Sequence, residues 1–65
     1  MSEELETALR YRVHAKKLRV IAETQYNQET RDRLLGIAKD YEHMADTLEA
    51  IDRTNKGMRP RQIAS

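Results

Sequence analysis

Tyr11-Arg12-Val13-His14-Ala15-Lys16-Lys17-Leu18-Arg19-Val20-Ile21 is answered thirty residues later by Tyr41-Glu42-His43-Met44-Ala45-Asp46-Thr47-Leu48-Glu49-Ala50-Ile51. Tyr, Ala, Leu and Ile fall at the same offsets in both, and Ala8 and Ala38 extend the match upstream. Neither copy contains a glycine or a proline. Small and large apolar residues alternating at helical spacing predict two similar α-helices folded against each other. The fold class is therefore all-α, an antiparallel two-helix hairpin.

Seven-residue lettering gives this hairpin a seam. With Ala8, Ala15 and Ala22 at position a, Tyr11 and Leu18 fall at d; in the second helix Ala38 and Ala45 take a, and Leu34, Tyr41 and Leu48 take d. Alanine at one of the two core positions lets helix axes approach towards the lower end of the roughly 8–10 Å range.

The flanks differ in character. On one, Arg12 and Arg19 oppose Glu42 and Glu49, with Lys16 and Asp46 beside them, so a cationic stripe meets an anionic one. Exposed pairs of this kind contribute at most about 1 kcal/mol each, and their use is in fixing register. The other flank holds His14, Ile21, Ile37, Met44 and Ile51. A lone hairpin leaves that row wet, and so broad an apolar edge marks a partner surface. A second copy docked there makes a dimeric four-helix bundle. Leu9, Val13 and Val20 lie off the seam, either as scattered surface residues or as the mark of a larger assembly.

Local signals set the expected boundaries. Ser2 suits an N-cap, and Glu3, Glu4 and Glu6 favour the first turn through the helix dipole. The first helix is expected over about 2–26, with Tyr26 closing the end of the core. Asn27 or Thr30 caps a second helix over about 28–53. Gly36 inside it costs about 1 kcal/mol relative to alanine, which suggests either a close helix crossing or simple tolerance. Asn55, Gly57 and Pro60 predict its end. The expected division is a hairpin over 1–55 and a flexible basic tail over 56–65.

Composition restricts the function. Twelve basic and eleven acidic residues leave a net charge of +1, and 35% of the chain is charged, as suits a long solvated helical surface. There is no cysteine for a disulfide or a thiolate zinc site, and no Trp or Phe to enlarge a core. Sixty-five residues make one domain at most, marginal without a partner. No stretch approaches the roughly 18 apolar residues of a membrane span. The polar start Met1-Ser2-Glu3-Glu4 is not that of a signal peptide, so a cytoplasmic protein is expected.

Catalytic and ligand-binding patterns are missing. His14 and His43 lie on different helices, and Asp40 with His43 supplies only one half of a carboxylate–histidine metal pattern. Ser2, Ser65 and the threonines have no base at a recognisable spacing, and no glycine-rich phosphate loop exists. No enzyme activity, metal or cofactor is expected. The expected role is that of a small homo-oligomeric interaction or regulatory protein, docking on itself and on another helical protein.

The rival reading is a nucleic-acid-binding accessory protein. Its phosphate contacts would come from the basic middle of the first helix, through Arg10 and Lys17, and from Arg59 and Arg61 in the tail. The acidic second helix opposes that reading.

The pattern Tyr11-Arg12, Ala15, Leu18-Arg19, Ala22, followed by Leu34-Leu35, Ile37-Ala38, Tyr41-Glu42, Met44-Ala45 and Leu48-Glu49, resembles a group of short uncharacterised bacterial proteins. The likeness covers about residues 8–50. It implies a helical hairpin and brings no assigned activity. In that group an Asp-Pro often opens the second helix; here Asn27-Gln28 stands in its place.

Overall fold

Ser2 starts the first helix as its residue type dictates. In the computed structural model, which describes residues 2–64 and the side chains of residues 2–56, its backbone is extended and its Oγ accepts the Leu5 N–H at 3.1 Å. Helix α1 follows over Glu3–Glu23, with Glu3, Glu4 and Glu6 in the turn where the dipole favours them. It closes at Thr24, whose N–H and Oγ1 both donate to the Ile21 carbonyl, at 3.0 and 2.7 Å. The helix thus stops short of the expected 26, because the threonine hydroxyl competes for a carbonyl that the next turn would need.

The second helix, α2, spans Gln28–Ala64. Asn27 caps it: its Oδ1 accepts the Thr30 N–H at 3.1 Å and its carbonyl accepts the Arg31 N–H at 3.0 Å. Thr30 therefore lies within the first turn and is not the cap. At the other end α2 runs past Arg53 to Ala64, through both Gly57 and Pro60, where the sequence predicts a stop. A helical glycine costs only about 1 kcal/mol and an interior proline about 3 kcal/mol, and here the helix continues through both. The side chains of the expected tail beyond Lys56 lie outside the described residues.

The two helices pack as a hairpin measuring 58 × 17 × 10 Å. The shortest extent is about one helix diameter, so the molecule is a ribbon a single layer thick. Ala8, Ala15, Ala22, Ala38 and Ala45 are all buried, while Tyr11, Leu18, Leu34, Tyr41 and Leu48 are half-buried beside them. No large side chain among the described residues is fully buried. The hairpin closes on methyl groups.

Two expected details are corrected. Tyr26 closes nothing: it projects from the turn fully exposed. The end of the seam is covered instead by Arg31, whose Nη2 donates to the Gln25 carbonyl at 2.6 Å. Gly36 is not at a crossing of the two helices, since a Cβ built there meets nothing within 4 Å.

Candidate interaction faces

A ribbon of two helices has two broad faces and two outer edges. The first broad face is a charge clamp. Arg12 grips Glu49 with both ends of its fork, Nε to Oε2 at 3.3 Å and Nη2 to Oε1 at 2.8 Å, and its Nη2 also reaches Asp46 Oδ1 at 2.8 Å. One level nearer the turn, Arg19 holds Glu42 in the same bidentate way, at 3.1 and 2.6 Å. Parallel N–H···O pairs constrain angle as well as distance, so each fork admits one level of its partner helix.

These contacts shift the titration of the groups. The hydrogen bonds that Arg12 donates to Glu49 and Asp46 push its guanidinium further up, and those that Arg19 donates to Glu42 do the same to Arg19. The hydrogen bonds donated by Arg19 hold the Glu42 carboxyl below its ordinary value, against a smaller opposing effect of desolvation. Five of the six residues assigned to the charge stripe meet here. Lys16 does not: Asp46, its expected complement, is engaged by Arg12, and Lys16 has no ion pair among the described residues.

The opposite broad face is apolar. Ile21, Ile37, Met44 and Ile51 are 42–47% exposed along it. His14 lies in the same row, its ring stacked over Tyr41 with centroids 5.5 Å apart, and Tyr41 in turn tilts against Tyr11 at 5.4 Å. Half-buried d residues thus form the floor between the two rows of isoleucine and methionine. A shallow hollow of about 270 Å³, lined by Thr7, Tyr11, Met44, Thr47 and Leu48, opens at the end away from the turn.

The outer edge of α1 carries Leu9, Val13 and Val20, each at least half exposed. A second open hollow, of about 460 Å³, is bounded by Val13, Lys16, Lys17, Val20 and Ile21. Of the residues assigned to the nucleic-acid reading, Arg10 and Lys17 are exposed on α1, whereas the side chains of Arg59 and Arg61 lie outside the described residues.

Counting by sevens from Ala38 and Ala45 finds two seam residues that the alanine pattern does not announce. Backward lies Arg31, under the turn, its Nε buried without a hydrogen-bond partner. Forward lies Asp52, only 5% exposed and paired with Lys56 Nζ at 3.2 Å. Both occupy position a, so the repeat itself marks them as inward-facing despite their charge.

Among the described residues no group of three or more His, Asp and Glu is arranged to hold a metal ion, and no helix is long and apolar enough to cross a membrane. No protein-family model matches the chain, and no curated protein or solved structure resembles it at a significant level.

Proposed function

We propose that the chain is a small, non-enzymatic cytoplasmic interaction protein that associates with itself. Two hairpins meet through His14, Ile21, Ile37, Met44 and Ile51 and make a dimeric four-helix bundle. The observation that carries this reading is the content of the hairpin's own interior. Five alanines are buried there, and every large apolar side chain described keeps some of its surface in water. Complete burial of an isoleucine, leucine or methionine stabilises by about 1.5–3 kcal/mol. The hairpin alone forgoes much of that, and a chain of this size has no other core from which to recover it.

Chemistry supports the choice of face. A copy laid on the charge clamp would have to desolvate Arg12, Arg19 and three carboxylates that already satisfy one another. A copy laid on the apolar face brings aliphatic rows together and covers the floor of tyrosine and leucine. Self-docking through matching surfaces is also the commonest form of oligomer.

Met44→Glu and Ile51→Glu each place a carboxylate within this contact. Light scattering is expected to show the mass fall to that of a single chain in both, with the helical circular dichroism largely kept. An oligomer of unchanged mass in both variants overturns the proposed interface.

A further inference from the structure

We infer that the outward side of α1 is a second docking surface, shaped for an acidic amphipathic helix of a partner protein. The inference rests on the reading of the chain as a docking protein, though not on its dimer. Val13 and Val20 stand seven residues apart on the side of α1 remote from its alanines, at 51% and 56% exposure, and Leu9 adjoins them at 50%. Branching at Cβ makes valine a modest helix former, and valine repays that cost only by packing. Two in a row on a solvated helix face, above an apolar hollow, gain nothing within the hairpin.

Charge selects the occupant. From Thr7 to Ala22 the helix contains no acidic residue. Arg12 and Arg19 are taken up by α2, but Arg10, Lys16 and Lys17 have no ion pair among the described residues. Lys16 and Lys17 border the hollow itself. Aliphatic floor and cationic rim together fit a helix that presents apolar anchors at i, i+3, i+4 and i+7 with carboxylates along its flanks.

Other occupants fit less well. A nucleic-acid backbone would use the cations and leave the valines wet. A lipid surface would be met by two valines, a leucine and an isoleucine with no aromatic residue on that face. A second copy offers no continuous acidic stripe, because the outer side of α2 sets Arg33 and Lys39 among Asp32 and Asp40.

The test titrates the full chain into a fluorescent synthetic helix of about five turns, with leucine anchors and glutamate flanks. Three comparison probes are the same peptide with lysine flanks, vesicles of phosphatidylglycerol, and a DNA duplex. The glutamate peptide is expected to bind more tightly than the lysine peptide. The pairs Val13→Glu with Val20→Glu, and Lys16→Glu with Lys17→Glu, are each expected to weaken it at least about tenfold without altering the oligomer mass. Met44→Glu, which acts on the self-association face, is expected to leave peptide binding in place, so the two readings fail separately. Absence of peptide binding, equal binding of both peptides, insensitivity to the paired variants, or preference for vesicles or duplex would each overturn the inference.

Discussion

At position 45 the side chain is one methyl group, wholly hidden between two helix backbones. Its size sets the spacing of the axes, so lengthening it forces them apart. Ala45→Leu is expected to lower stability by about 1–3 kcal/mol, seen as a lower urea midpoint. Gly36 is the opposite case. It sits on the exposed side of α2, where a methyl group meets nothing. Gly36→Ala is therefore expected to raise the unfolding free energy by about 0.4–1 kcal/mol through helix propensity and a less disordered unfolded chain. A fall in melting temperature would refute this. The alanines are legible in the sequence because a methyl side chain recurring at every seventh residue marks a close helix seam and little else. Arg31 and Asp52 are not, because their charge argues for solvent while their register argues for the seam, and here register prevails.

Each helix begins where its cap residue says and ends where its sequence says less. Ser2 and Asn27 accept backbone N–H groups in the manner their side chains allow, and both are visible in the sequence as starts. The ends are harder to read, because stopping a helix is a balance of small costs. Thr24 ends α1 early through its hydroxyl, and neither Gly57 nor Pro60 suffices to end α2. Between the helices, the Arg19–Glu42 fork gives a test by acid. Glu42 titrates lower folded than unfolded, so its contribution to stability is fully present above the ordinary glutamate value and fades as pH falls below about 4.5, through its lowered value. Glu42→Gln removes that dependence. Its melting temperature is expected to fall less than that of the unaltered chain between about pH 6 and pH 3. Equal losses would show that the fork contributes nothing to the pH response.

The whole ribbon is one helix thick, and that dimension governs what it can be. A single layer cannot enclose a large side chain, so its apolar surface must face either water or another protein. Both the hairpin and its unequal faces follow from the repeated frame and its flanks. The outer surface of α1 is less clear from sequence, where Leu9, Val13 and Val20 fit scattered exposure as well as a larger assembly. What the helical arrangement adds is adjacency: the two valines share a hollow with Lys16 and Lys17, and Lys16, expected to pair within the clamp, has no ion pair among the described residues.

Alanine has no side-chain torsion to surrender, so the five that line the seam are locked together at almost no entropic loss beyond that of the backbone. If two hairpins pair as proposed, the freezing of isoleucine, methionine, leucine and tyrosine rotamers is postponed to that step. Assembly, rather than hairpin closure, would then be where this molecule becomes rigid.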